Sequence, residues 1–284
     1  MYCGLNGRTV LVTGGSTGIG MATSELFGRE PGVRVALTYK SGREGALGAV
    51  ERIERQGGKA MAVHLDLGDQ HGIVRAVGEI EESFGGVDVL VANAVQWPTE
   101  RFAFEEGPVS GWESFFAVNL SGTVKLCQQV IPSMKARRWG RIVLLSSDLA
   151  VDSMKGSGRY SALKAALFGL AANLVTELSP YDILTNVVLP SWTLTDRART
   201  HFPQAFREAA TAAFPTGRIT TPEDVASLIL YLGSGANGHV NGEHIRVTGA
   251  SSLPLMGYLW EQARTAAATP GAAPTAAPAA APDR

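Results

Sequence analysis

Cysteine is nearly missing from this chain. Cys3 and Cys127 stand far apart and in no CxxC spacing, which leaves little room for a disulfide framework or a cysteine-built zinc site. A reduced, cytoplasmic setting is the simplest expectation. Charge of one sign is also lacking: Lys and Arg number 25 against 26 Asp and Glu, for a net charge of -1. With no basic block to neutralise a run of phosphates, nucleic acid is not an expected partner. The five histidines (64, 71, 201, 239 and 244) form no HxxxH and no cluster with cysteine, so no metal site is expected. The opening stretch "MYCGLNGRTVLVTGG" has neither a basic n-region nor a long apolar h-region, and no run of 18 apolar residues follows. Neither a leader nor a membrane span is expected.

What the chain does have is apolar residues in short, regularly spaced runs. Its 284 residues are 45% hydrophobic, enough for a substantial core. Strand-like runs fall at 8–13, 33–38, 59–65, 87–92, 141–146, 183–189 and 243–248, bounded by turn residues. Helix-like segments at 17–30, 42–56, 69–84, 112–137, 158–179 and 222–232 alternate with them. That alternation predicts an α/β fold of three layers, with a doubly wound parallel sheet of about seven strands. Ligands in such sheets bind outside the carboxyl ends of the strands. One catalytic domain is expected over residues 1–262. Residues 263–284 are almost all Ala and Pro, too poor in large apolar surface to repay ordering, and are expected to be a disordered tail.

Two features carry chemistry. The first is "VLVTGGSTGIGMATSELF", where glycines 14, 15, 18 and 20 join a strand to a helix. Glycine there allows a tight turn and close approach of a pyrophosphate, and the helix N-terminus offers free N–H groups to it. The spacing is not the usual GxGxxG, so its weight comes from the strand before and the helix after. The next strand ends in "LTYKSGR" with no acidic residue at its tip. An acidic residue there would hold a ribose 2′-OH, whereas Tyr39, Lys40, Ser41 and Arg43 suit a 2′-phosphate, favouring NADP(H) over NAD(H).

The second feature is Tyr160 and Lys164, four residues apart and so on one face of a helix. A free tyrosine has a pKa of about 10, and lowering it by ~2–3 units takes roughly 3–4 kcal/mol, which nearby cations could supply. Thirteen residues before Tyr160, at a strand end, Ser147 follows Ser146; a hydroxyl there can hold a carbonyl oxygen while Tyr160 moves the proton.

With these residues in view, the chain resembles the short-chain dehydrogenase/reductase family, its 3-oxoacyl-carrier-protein reductases in particular. The resemblance rests on TGxxxGxG at Thr13 to Gly20, on Ser147 with YxxxK at Tyr160 and Lys164, and on Asn119 in "FFAVNLSG". It extends to "VANAV", "LPSWTLT", "GRITTPEDVASLILYL" and "VNGEHIRVTGA", so that residues 8 to about 250 are covered. The resemblance implies a Rossmann-type fold, a nicotinamide dinucleotide and a dimer or tetramer. It implies catalytic roles for four residues: Tyr160 as general acid/base, Lys164 lowering its pKa and binding the nicotinamide ribose, Ser147 orienting the carbonyl, and Asn119 holding a relay water. The implied cofactor site comprises Gly14, Ser16, Thr17, Gly18, Ile19, Gly20, Tyr39, Lys40, Ser41, Asp66, Leu67, Asn93, Ala94, Val95, Tyr160, Lys164, Pro190, Thr193 and Thr195. Three positions depart from the family's pattern: Val95 and Ser191 each replace a glycine, and Thr248 replaces an aspartate.

The expected activity is NADPH-dependent reduction of a ketone, possessing a hydrophobic, ketoacyl or polyketide-like skeleton, to a secondary alcohol. The alternatives are an alcohol dehydrogenase working in the oxidative direction and a non-catalytic dinucleotide-binding sensor. Residues 190–216 should lie over the site as a lid. Its Trp192, Phe202, Phe206 and Phe214, with Trp97 and Met154 from other loops, either line an apolar pocket or pack the lid onto the body. The helix around "SALKAALFGLAANLVTEL" has apolar surface nearly all round, so its outer side is expected to meet a second copy. The apolar segment 251–262, with Leu255, Tyr258 and Trp260, is expected to dock on its own domain or on a neighbour.

Overall fold

Strand β1 (Thr9–Val12) is buried along its whole length, as a strand covered by helices on both faces must be. Its residues divide between two cores: Leu11 faces one, Val10 and Val12 the other. A computed structural model of the chain describes residues 3–98, 100, 102–251 and 259–260. In it, β1 is joined by β2 (Arg34–Tyr39), β3 (Lys59–His64), β4 (Val89–Ala92), β5 (Gly140–Leu145), β6 (Ile183–Pro190) and β7 (His244–Val247). They form one sheet of 7 strands in the order β3-β2-β1-β4-β5-β6-β7, every pair parallel. All seven lie within a residue or two of the runs expected from the sequence, and the fold is the expected Rossmann-like α/β sheet.

Val10 pairs with Val35 on one side and Val89 on the other. The chain therefore winds outward from β1 to β3, then returns to β4 and winds the other way. The crevice between the carboxyl ends of β1 and β4 is the place such a sheet offers a ligand.

Helices α3 (Gln70–Phe84), α4 (Val109–Arg137) and α5 (Gly158–Leu178) cover one face, packing Ile80, Leu126 and Leu174 around Leu11 and Ile142. Helices α1 (Gly18–Gly28), α2 (Arg43–Arg55) and α8 (Pro222–Leu232) cover the other, packing Phe27, Ile53 and Ile229 around Val10 and Val143. Helix α4 starts three residues before the expected 112, because Pro108 supplies an extended N-cap and proline suits a helix entrance. Helix α8 begins with a capping box: the Thr221 hydroxyl accepts from the Asp224 N–H at 3.4 Å and the Asp224 carboxylate accepts from the Thr221 N–H at 2.8 Å.

The expected lid contains two helices of its own, α6 (Asp196–His201) and α7 (Gln204–Ala213). Phe206 and Phe214 are buried in a small separate core. Trp192, Phe202, Phe206 and Trp260 meet there with ring centroids 4.8 to 6.1 Å apart. These aromatics pack the lid rather than line a pocket. Trp260 thus docks on its own domain, while Leu255, Tyr258 and the tail 263–284 lie outside the described residues.

Helix α5 is long and apolar enough, by length and composition, to cross a membrane, with 33% of its most apolar window buried. Leu163, Leu167, Ala171, Leu174 and Leu178 make up its buried stripe. Its opposite side is the one expected to meet a second copy.

Candidate active site

The glycine loop is held from two directions. Gly14 donates its N–H to the Thr38 hydroxyl at 3.2 Å and Gly15 donates to the Thr38 carbonyl at 2.9 Å. On the other side, the Thr13 hydroxyl accepts from the N–H groups of Asn93 and Ala94, both at 3.0 Å. The Asn93 amide donates to the Thr13 carbonyl at 2.8 Å and to that of Gly14 at 3.3 Å. The Asn93 side chain thus braces the loop. Glycine is required here: Gly18 has a φ of +53°, and a Cβ on Gly20 would stand 2.2 Å from the Gly14 carbonyl oxygen. Thr17, the N-cap of α1, makes no side-chain cap, and the first turn carries no acidic residue. The helix thus presents uncapped N–H groups and its positive end to the crevice, which fits an anion such as a pyrophosphate. Ser16 packs beside Gly42 and Gly45 at the start of α2, and Ile19 packs on the core.

At the outer end of the crevice, Lys40 Nζ pairs with Asp66 Oδ2 at 2.7 Å and lies 3.4 Å from Gln96 Oε1. Burial acts to raise the Asp66 carboxyl, but the Lys40 ammonium and the Gly68 N–H hold it below its ordinary value. Tyr39 meets His64 edge to face, and Ser41 follows at the exposed tip. Leu67 is buried in the core.

The inner end holds the titratable groups. Tyr160 and Lys164 share a face of α5, with the ammonium 5.6 Å from the phenol ring centroid. Lys164 Nζ donates to the Leu145 carbonyl at 2.5 Å, and Ser146 Oγ donates to the Lys164 carbonyl at 2.8 Å. These bonds fix α5 to the end of β5. Burial pushes Lys164 down to about 8. Burial also pushes the Tyr160 hydroxyl well above its ordinary value, opposed by a hydrogen bond from Ser147 and not by Lys164. The sequence leads one to expect Lys164 to lower Tyr160; in the structure burial sets the direction and only Ser147 opposes it.

Ser147 sits at the turn after β5, its Oγ accepting from the Leu149 N–H at 3.2 Å. Asn119, buried in α4, exchanges hydrogen bonds with the Gln96 backbone at 2.7 and 3.2 Å and donates to the Phe115 carbonyl at 3.0 Å. Between Asn119, Thr123 and Lys164, closed by Ala94, Val95 and Leu163, lies a cavity of about 10 Å³. That is the size of one water, with polar partners to hold it.

Past β6, the lid begins with Pro190 at the strand end. Thr193 bridges to Thr220, and Thr195 caps α6 by accepting from the Ala198 N–H at 3.1 Å. The Thr195 methyl would lie 3.0 Å from a Cβ on Gly18. The lid therefore reaches the glycine loop.

A family model described as "Enoyl-(Acyl carrier protein) reductase" matches residues 14–250. The chain belongs to the short-chain dehydrogenase/reductase family. It is 34% identical over 245 residues to a 3-oxoacyl-[acyl-carrier-protein] reductase of Aquifex aeolicus, covering 86% of this chain and 97% of that one. It is also 34% identical over 258 residues to a 3beta-hydroxysteroid dehydrogenase of Eggerthella lenta, covering 89% and 97%. Among solved structures, a 7 alpha-hydroxysteroid dehydrogenase complexed with NADH and 7-oxo glycochenodeoxycholic acid superposes with a TM-score of 0.81 at 25% identity, covering 88% and 96%. The chain is accordingly a short-chain oxidoreductase, and the solved neighbour is one that holds NADH.

The three departures from the family's pattern each have a local use. Val95 lines the small cavity and packs in the cluster of Phe115, Tyr160 and Leu163. Ser191 Oγ lies 3.4 Å from Thr220 Oγ1, tying the lid's root. The Thr248 hydroxyl accepts from the Ala250 N–H at 3.2 Å. Gln96 was not foreseen: its backbone holds Asn119 and its side chain reaches toward Lys40. No motif marks it, because its use is through the main chain.

Proposed function

We propose that this oxidoreductase reduces a ketone to a secondary alcohol with NADPH. The observation that carries the reading is the gathering of Tyr160, Ser147, Lys164 and Asn119 at the strand ends, directly beside a glycine loop shaped for a pyrophosphate. When bound, the dinucleotide supplies the hydride. The uncapped turn at Thr17 to Gly20 holds its phosphates, and Pro190, Thr193 and Thr195 border the nicotinamide. Ser147 Oγ donates to the carbonyl oxygen, and Tyr160 Oη gives that oxygen its proton. A tyrosine raised by burial stays protonated at neutral pH, which suits an acid. Lys164, on the same helix face, would hold the nicotinamide ribose, and a water in the Asn119 cavity would stand beside it.

Lys40 favours NADPH because it can meet a 2′-phosphate. A second reading, NAD(H) with turnover in the oxidative direction, is favoured by one contact: Lys40 is already paired with Asp66. An assay of NADPH against NADH oxidation over a ketone panel separates them. Faster turnover with NADPH supports the first; a preference for NADH, with alcohols oxidised readily, supports the second.

The open side of α5 is best covered by a second copy of the chain, giving a homodimer or homotetramer. A clean monomer by sedimentation at micromolar concentration would contradict that.

A further inference from the structure

Trp97, in the segment after β4, stacks on Tyr160: the ring centroids are 4.7 Å apart and the planes 9° from parallel. The guanidinium of Arg197, from the first turn of α6, lies over the same indole at 6.0 Å from its centroid. Tyr160 also clusters with Val95, Phe115, Phe116, Leu120, Leu149 and Leu163, from α4, α5 and the turns after β4 and β5. Those residues are buried or half-buried, and Tyr160 itself is 7% exposed, whereas Trp97 is 48% exposed. A rigid bicyclic ring thus stands between solvent and the proton-donating phenol, and the lid's cation rests on it. The lid aromatics are committed to the lid's own core, and among the described residues Trp97 is the half-exposed ring stacked on the phenol.

We infer that Trp97 is a specificity-determining residue of this site, a wall on Tyr160 that admits slender acyclic ketones and excludes fused-ring ones, with Arg197 holding it in place. The inference rests on the proposed reductase reading. A flat ring can pack along a substrate chain that lies at its edge. A fused bicyclic ketone brought to the Tyr160 hydroxyl needs the volume the indole fills.

The test compares kcat/KM for an acyclic β-keto ester with that for a fused bicyclic ketone. The native enzyme, Trp97→Ala, Trp97→Phe, Arg197→Ala and Tyr160→Phe are run in parallel. The bicyclic-to-acyclic ratio should rise roughly tenfold or more in Trp97→Ala, and less in Trp97→Phe and Arg197→Ala. A ratio within about twofold of native in Trp97→Ala overturns the inference. Tyr160→Phe reads the underlying mechanism separately: if it turns over both ketones normally, the proton-donor reading fails, while the Trp97 ratio still decides the wall. Fluorescence needs no turnover: the component present in the native enzyme and lost in Trp97→Phe should be quenched by the acyclic ketone, and its indifference to that ketone counts against the wall.

Discussion

Lys40 and Asp66 join the tips of two neighbouring strands through an ion pair of 2.7 Å. With side chains 54% and 30% exposed, the pair contributes only about 0–1 kcal/mol to stability. Its importance lies in what Lys40 can still offer a cofactor. Lys40→Ala should weaken NADPH binding roughly tenfold or more and leave NADH binding nearly unchanged, since a charge-assisted bond is worth about 1.5–3 kcal/mol. Asp66→Asn should act oppositely, releasing the lysine and raising the NADPH-to-NADH affinity ratio. Equal effects of Lys40→Ala on both cofactors, measured by fluorescence titration, would remove Lys40 from the 2′-phosphate site.

Gly20 is the tightest point of the loop. A Cβ there would stand 2.2 Å from the Gly14 carbonyl oxygen and 2.6 Å from the Asn93 amide, so the backbone itself must shift. Gly20→Ala should abolish measurable dinucleotide binding. Gly78→Ala, in α3 with no heavy atom near its added Cβ, is the matched control and should be neutral or stabilising by about 0.5–1 kcal/mol. Intact cofactor binding in Gly20→Ala would show that the loop has slack the geometry denies it.

Asp224 links the α8 capping box to Arg218, whose guanidinium donates to both carboxylate oxygens at 2.5 and 2.7 Å. The Arg218 bond lowers the carboxyl to about 2. Its unfolded value is about 3.9, so its contribution is complete above about pH 5 and is lost as pH falls toward 2. Asp224→Ala should cost about 1 kcal/mol at pH 7, screening included. Urea melts should show the gap from native narrowing between about pH 5 and pH 2. A gap independent of pH would mean that packing, not charge, carries the cap.

Cys127 is buried in α4, and burial pushes its thiol up to about 12. A protonated, enclosed thiol is a poor nucleophile. It should resist a thiol reagent at pH 8 in the native protein and react fully in denaturant. Rapid native labelling at Cys127, located by peptide mass, would indicate that α4 opens readily.

The seven strands were legible because each is a buried run bounded by turn residues, and α5 because Tyr160 and Lys164 mark its first turns. The site residues brought together by the fold were legible from motif and order. Less visible were interactions made through the backbone, such as Gln96 with Asn119, and bonds between distant side chains, such as Lys40 with Asp66. The lid aromatics show another limit. Phe202, Phe206 and Phe214 have a helical spacing and an apolar character that serve a pocket or a core equally well, and only the three-dimensional packing with Trp260 distinguishes the two. The elevated Tyr160 is of the same kind: charge proximity is readable at i and i+4, but burial depends on Trp97 and Phe115 arriving from elsewhere.

The central claim is that Tyr160 donates the proton. Its most direct test is NADPH oxidation by Tyr160→Phe with the native enzyme's best ketone, alongside NADPH binding to the same variant. The account predicts a fall in kcat of about 10²-fold or more, the usual scale of general acid catalysis, with NADPH still bound. A Phe variant that binds NADPH and retains most of its kcat would contradict it.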